Sequence, residues 1–307
     1  MRIAVVGAGG VGGGYGAFLA KAGADVTFIA RGAHLAAMRT TGLKVESPRG
    51  NIHLVPTQAT DDPATVGPVD VVLFCVKQWD VESAGAAIRS MVGPHTAVIP
   101  LQNGIDTAER LTPILGAGAV MGGVANISAT IAEPGLIRQT GSGLRMVFGE
   151  LDRRPSTRGE AFLALCQKAG IEGVLSPDIR IDLWLKFILL ASNASIMALT
   201  RLPVGKLRDD PDIGPWFAAA YEEVAAVGHA AGVPLPADSV ARTLEFNRNA
   251  PATLIASMAV DLLRGNRIEL PWLSGKVIEL GRRHGVATPI HDLMYAMLKP
   301  YIMGRPT

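Results

Sequence analysis

Residues 1–31 read MRIAVVGAGGVGGGYGAFLAKAGADVTFIAR, and the order of apolar runs and glycines here decides the fold. Arg2 to Val6 is a short apolar run ending at Gly7-Ala8-Gly9-Gly10-Val11-Gly12, after which Tyr15, Phe18 and Leu19 recur at helical spacing until Gly23. The reading is strand, glycine-rich turn, helix. Each glycine then has a task. Gly7 permits the tight turn, Gly9 lets backbone amides approach a pyrophosphate, and Gly12 lets the helix pack closely on the strand, while the helix N-terminus offers positive partial charge to phosphate. Gly7, Ala8, Gly9, Gly10, Val11 and Gly12 are therefore candidate cofactor contacts. Val26 to Ala30 is a second strand, and a ribose-reading residue belongs at its end, roughly 20 residues past the turn. Sites for NAD place an acid there, whereas this chain has Ala30 and then Arg31. A cation suits a 2′-phosphate, so NADPH/NADP+ is expected as the cofactor.

Outward from this unit, Lys44 to Val55 alternates around Pro48-Arg49-Gly50-Asn51 and reads as an inserted hairpin. Val69 to Val76 and Val98 to Leu101 are continuous apolar runs of the buried parallel-strand kind, with a helix marked between them by Val81, Ile88 and Val92. Strand and helix alternate, so an α/β fold with a Rossmann-type doubly wound sheet is expected, with ligands beyond the carboxyl ends of its strands. That rule singles out the loops Lys77-Gln78-Trp79-Asp80 and Gln102-Asn103-Gly104. From Val120 to Phe148 the character changes to strands expected as antiparallel additions at the sheet edge. A helix over 156–169 and a strand near Val174 close this half. Ser176-Pro177-Asp178 is a break, and everything after it reads as helix: 182–199, 215–231, 237–246, 251–264 and 271–284, with Gly232, Gly265 and Gly285 as stops and Pro251 and Pro271 in first turns. The expected division is residues 1–176 as an NADP-binding Rossmann domain and 177–307 as a C-terminal all-helical substrate domain, with the cleft at their junction.

A chain of 307 residues with 49% hydrophobic and 18% charged residues has the composition of a compact, ordered protein. A net charge of +2 gives no reason to expect nucleic acid or an anionic membrane as a partner. The most apolar run, 183–199, carries Lys186 and Asn193 and reads as a buried helix rather than a membrane span. Cys75 and Cys166 make no disulfide framework and no signal peptide is visible, which together point to the cytoplasm. The six histidines show no ligand spacing, so no metal is expected. An apolar helical domain is compatible with a homodimer.

Two residues of the second half could carry chemistry. Lys186 interrupts Leu183-Trp184-Leu185-Lys186-Phe187-Ile188-Leu189-Leu190, and a lysine is rarely buried without a partner. Asn193 falls on nearly the same helix face. Glu269 lies in Arg264-Gly265-Asn266-Arg267-Ile268-Glu269-Leu270-Pro271, where a loop can present it, just past a helix carrying Ser257 and Asp261 at i, i+4 spacing. Each has an ordinary structural explanation as well: a snorkelling lysine, a solvated carboxylate, a polar helix edge.

Together these residues resemble the ketopantoate reductase (2-dehydropantoate 2-reductase) family along essentially the whole chain. The resemblance rests on the GAGGVGGGYG turn, Ala30-Arg31-Gly32, Val76-Lys77, Leu101-Gln102-Asn103-Gly104, Trp184-Leu185-Lys186, Ser257-Met258 with Asp261, Gly265 with Glu269, and Gly285 to Pro289. It implies an NADPH-binding Rossmann domain joined to a helical domain, and reduction of a small-molecule 2-oxo acid to a 2-hydroxy acid in pantothenate biosynthesis. By resemblance, Arg31 and Lys77 meet the adenosine end of the cofactor, Asn103 lies between nicotinamide and substrate, Lys186 is the general acid, Ser257 holds the substrate and Glu269 sits beside the reacting groups. Hydride arriving at a carbonyl carbon leaves charge growing on oxygen, so a cation that can surrender a proton is the side chain required.

The chain departs from the family at the substrate. Positions where pantoate-binding members place asparagines are Leu190, Ala194, Val204 and Leu254. Asn193, Asn247 and Asn249 lie nearby in sequence without matching that spacing. A site stripped of hydrogen-bonding groups prefers a less polar 2-oxo acid or ketone, so a paralogous reductase is the alternative within the enzyme class. An NADP(H)-sensing protein without turnover is the alternative outside it; such a protein has no use for Lys186 and Glu269.

Overall fold

The computed structural model describes residues 1–306, in two compact units. The first comprises residues 1–102 and 106–179, the second 103–105 and 180 onward. The helical unit therefore takes in Asn103–Ile105, a short loop from the first half of the chain.

The first unit starts with strand β1 (Arg2–Val6), helix α1 (Gly10–Lys21), β2 (Asp25–Ile29), α2 (Gly32–Thr40), β3 (Leu43–Glu46), β4 (Ile52–Leu54) and β5 (Ala59–Thr60). It continues with β6 (Val69–Phe74), α3 (Val81–Ala87), β7 (Val92–Pro100) and α4 (Thr107–Leu115). The central sheet has the order β5-β2-β1-β6-β7, every pair parallel. Ile3, Val5, Phe28, Val71 and Leu73 bury into one cluster, and Ala4, Val6, Ile29, Val72 and Phe74 into another. Burial on both faces is why β1 and β6 read as unbroken apolar runs instead of alternating ones.

The segment after α4 forms β8 (Met121–Asn126), β9 (Ala129–Glu133), β10 (Leu136–Gln139), β11 (Arg145–Glu150), α5 (Thr157–Lys168) and β12 (Glu172–Leu175). The expected antiparallel pairs exist, β8 with β11 and β9 with β10, but they are not additions to the edge of the parallel sheet. β9 and β10 join the β3–β4 hairpin in a sheet ordered β4-β3-β10-β9, while β8 and β11 form a three-stranded sheet with β12. One parallel bridge, Val98 to Val120, links the latter to β7. The buried Tyr15 of α1 ties these layers together, its hydroxyl donating to the Arg145 carbonyl at 2.6 Å and accepting from the Asn126 amide at 3.0 Å.

The second unit is built on α6 (Ile179–Thr200), α7 (Gly214–Ala230), α8 (Ser239–Asn249), α9 (Ser257–Leu263), α10 (Ser274–His284) and α11 (Pro289–Leu298). α6 is long and apolar enough to cross a membrane by length and composition, and most of its apolar window is buried inside the protein. Phe187, Ile188 and Ala191 pack with Phe217, Tyr221 and Val224 of α7.

One expectation fails here, and one helix lies beyond the expected ranges. Residues 251–256 are not helical, although Pro251 suits a first turn. They form a turn closed by Leu254 N to Pro251 O, and the Ala252 and Leu254 carbonyls accept from the amides of Gly205 and Val204. Backbone groups committed to a distant segment are not available for a helix. α11 was not among the expected helices; its first amides, those of Ile290 and His291, are capped by the Glu223 carboxylate of α7 at 2.8 and 3.1 Å.

Candidate active site

The glycine-rich turn has the geometry its residues require. Gly7 has φ of +93°, and a Cβ there would stand 2.8 Å from the Cys75 carbonyl carbon and oxygen. A Cβ on Gly12 would lie 2.9 Å from the Val5 side chain and 3.0 Å from Cys75 Cβ, so helix and strand approach as closely as they do because the side chain is missing. A Cβ on Gly9 would meet nothing within 4 Å. It faces open space, as a residue beside a bound pyrophosphate must. Gly10, Val11 and Gly12 form the first turn of α1.

Beyond the carboxyl ends of β1, β2 and β6 lies a pocket of about 420 Å³, lined by Gly7, Ala8, Gly9, Ala30, Arg31 and Asp80 among others. This wall fits a dinucleotide: an open glycine edge and a helix N-terminus for the pyrophosphate, and a cation at the end of the second strand. Arg31 donates from Nη2 to Asp80 Oδ2 at 3.2 Å. Lys77, expected at the adenosine end, is exposed at the start of the loop after β6, its Nζ 5.6 Å from the centroid of the Trp79 ring. His34 is a wall residue that sequence reasoning missed. Its Nε2 lies 2.9 Å from the Ala8 carbonyl and its Nδ1 accepts from the Gly135 amide at 3.0 Å, so the neutral Nε2–H ring braces the turn. Burial pushes its pKa below the ordinary value.

Gln102, at the end of β7, donates from Nε2 to the carbonyls of Phe74 and Val76 at 3.0 and 2.9 Å. That fixes the orientation of its amide. Its buried Oε1 has no hydrogen-bonding partner among the described residues.

In the helical unit, Lys186 sits half-buried on α6 between the core residues Trp184 and Phe187, and donates from Nζ to Asn103 Oδ1 at 3.2 Å. Burial lowers its pKa to about 8, and the nearby Glu269 carboxylate opposes that shift. Glu269 is itself buried, at the residue preceding the Leu270–Trp272 turn. Three predicted site residues, Lys186, Asn103 and Glu269, thus come together within one unit.

Two others are placed differently. Ser257 is exposed at the first position of α9. Asn193 is only 5% exposed, its Oδ1 accepting from the Tyr221 hydroxyl and its Nδ2 donating to Asn247 Oδ1 at 3.0 Å. Both amides are engaged in a core network, an ordinary arrangement for buried polar groups. Of the four apolar positions noted above, Ala194 and Val204 are closed into the core, while Leu254 is 37% exposed and Leu190 half-buried.

A parallel sheet with a nucleotide turn, joined in one chain to a helical unit carrying a lysine of lowered pKa, fits one class: an oxidoreductase using a nicotinamide dinucleotide. The model of the family described as "Ketopantoate reductase PanE/ApbA" matches residues 3–153, and that of its C-terminal domain matches residues 178–301. The chain belongs to this family. A 2-dehydropantoate 2-reductase of Caulobacter vibrioides is 30% identical over 299 residues, covering 96% of this chain and 97% of its own. The crystal structure of a PanE/ApbA family ketopantoate reductase from Ralstonia eutropha aligns with a TM-score of 0.90 at 32% identity, covering 98% of both chains. D-Mandelate dehydrogenase, solved with NADH and anilino(oxo)acetate, shares the fold with a TM-score of 0.90 at 19% identity, covering 98% of both chains. Fold alone therefore does not choose the acid.

Proposed function

We propose that this chain reduces a 2-oxo acid to a 2-hydroxy acid with NADPH, and that the acid is 2-dehydropantoate, giving pantoate. The observation that carries the reading is Lys186: an ammonium set into an apolar helix, hydrogen-bonded to Asn103 and accompanied by a buried carboxylate. With a pKa near 8 it is mostly charged at neutral pH and still able to give up its proton.

When bound, the dinucleotide supplies the hydride. The chain supplies the rest. Gly7, Ala8 and Gly9 with the start of α1 hold the pyrophosphate, and Arg31 favours a 2′-phosphate. Gln102 braces the loop after β6 by donating to the carbonyls of Phe74 and Val76. Lys186 stabilises the growing charge on the substrate oxygen and transfers its Nζ proton there. Asn103 directs Nζ, Glu269 keeps it protonated, and Ser257, exposed at the head of α9, offers a hydroxyl to the substrate. A proton donor of this kind contributes about 10² to 10⁴ in rate.

Leu190 and Leu254 favour a second reading of the substrate. They remain partly accessible and are apolar, so a less polar 2-oxo acid gains where the hydroxyl of 2-dehydropantoate has nothing to bond. Initial rates across a panel of 2-oxo acids separate the two: 2-dehydropantoate leads on the first reading and trails an aliphatic or aromatic acid on the second. No turnover of any of them would remove both.

A further inference from the structure

Arg31, the residue at the end of β2 suited to a 2′-phosphate, already has an anion beside it. Its Nη2 donates to Asp80 Oδ2 at 3.2 Å, and both side chains line the nucleotide pocket. The other carboxylate on the wall, Asp61, is paired with Arg39 at 3.3 Å, so its charge is balanced by a separate guanidinium. Asp80 is not needed to hold its own turn. Its backbone amide donates to the Lys77 carbonyl at 2.9 Å and its carbonyl accepts from the Ser83 hydroxyl at 3.1 Å. Among the described residues its side chain makes no cap for α3.

A phosphate arriving at Arg31 therefore meets an ion pair instead of a bare cation, and has a carboxylate for a neighbour. The unphosphorylated dinucleotide meets the same carboxylate as an acceptor for a ribose hydroxyl. We propose that Asp80 is a cofactor-specificity residue, which narrows the preference for the 2′-phosphorylated dinucleotide and keeps NADH a working alternative. The proposal rests on reading the pocket as the adenosine end of a nicotinamide-dinucleotide site. A rival role, in which Asp80 aims Arg31 at the phosphate, calls for a clamped guanidinium. Instead the pair is a single nitrogen–oxygen contact on an arginine side chain that is 78% exposed.

The test is equilibrium binding of NADPH and of NADH, without substrate, to the wild type, Asp80→Asn and Asp80→Ala, by fluorescence or calorimetric titration. Removing one unit charge about 4 Å from a phosphate, in a partly solvated wall, is worth about tenfold in affinity. Both variants are expected to bind NADPH about tenfold tighter, with NADH unchanged or weaker. An unchanged NADPH to NADH affinity ratio, or weaker NADPH binding, overturns the role of Asp80 while leaving the pocket's identity intact. A wild type that binds neither nucleotide removes the role of Asp80 and the pocket reading together.

Discussion

Lys186 and Asn103, 83 residues apart, meet at 3.2 Å through Nζ and Oδ1 within the helical unit. Asn103 directly follows Gln102, the last residue of the nucleotide unit's first segment. The carboxamide bonded to the lysine thus lies three residues past the end of β7. Asn103→Leu keeps the size and removes the acceptor. We expect kcat to fall about tenfold or more, with nucleotide affinity changed little, since the loss falls on orientation of the acid. A fall in NADPH affinity with kcat intact would move Asn103 from the lysine to the cofactor.

Glu269 acts on Lys186 by charge. Burial lowers the lysine pKa to about 8, and the carboxylate raises it from where burial alone would leave it. Reduction needs the protonated amine, so kcat is expected to decline as pH rises through about 8. In Glu269→Gln the declining limb moves to lower pH. Identical profiles for the two proteins would separate the carboxylate from the lysine.

Arg31→Ala should weaken NADPH far more than NADH, by about tenfold or more, because only one of the two carries the phosphate the guanidinium would bond. Comparable losses for both would end the assignment of Arg31 to the 2′-phosphate.

His291 predicts an acid-labile helical unit. Its ring is fully buried, with Nδ1 3.0 Å from the Ser274 hydroxyl and Nε2 3.3 Å from the Ala220 carbonyl, and burial lowers its pKa to about 4. The unfolded chain takes up its proton near pH 6.5 and the folded one does not. Its contribution is therefore complete above pH 6.5 and is lost as pH falls toward 4, by about 3 kcal/mol in all. His34, lowered in the same direction, gives the nucleotide unit a slope of the same sign. In thermal melts between pH 7 and 5, the Tm of His291→Gln should fall less steeply than that of the wild type; parallel slopes would contradict the titration.

The nucleotide half was legible because its signals are local. Gly7, Gly9 and Gly12 act on neighbours a few residues away, and the apolar runs of β1 and β6 report burial directly. Non-local pairing hid the rest. Residues 251–256 satisfy the rules for a helix start, and only their bonds to Val204 and Gly205 show otherwise. β9 and β10 carry turn and strand signals but nothing that names β3 as their neighbour. The pairing of Arg31 with Asp80 depends on which strand ends lie side by side. α11 did have a local signal, Thr288-Pro289 followed by Ile290, Leu293, Met294, Met297 and Leu298 at helical spacing. At Lys186 the exception to an apolar run was itself the signal, and the partners that accompany it, Asn103 and Glu269, lie 83 residues on either side in sequence and were not legible from spacing.

The central claim is that Lys186 is a proton donor held in the protein against the preference of its surroundings. Substituting Lys186→Met removes the proton, relieves the desolvation of the ammonium and leaves the buried Glu269 carboxylate and the Asn103 acceptor without their partner, so the two effects on stability oppose each other while activity has nothing to offset its loss. The decisive measurement is NADPH oxidation with 2-dehydropantoate, or with the best acid of the panel, at neutral pH beside a thermal melt of each protein. The account predicts a kcat lowered about 10²-fold or more in a protein that still melts cooperatively, with unchanged NADPH binding. A Lys186→Met enzyme that is folded, binds NADPH and turns over at the wild-type rate would contradict it.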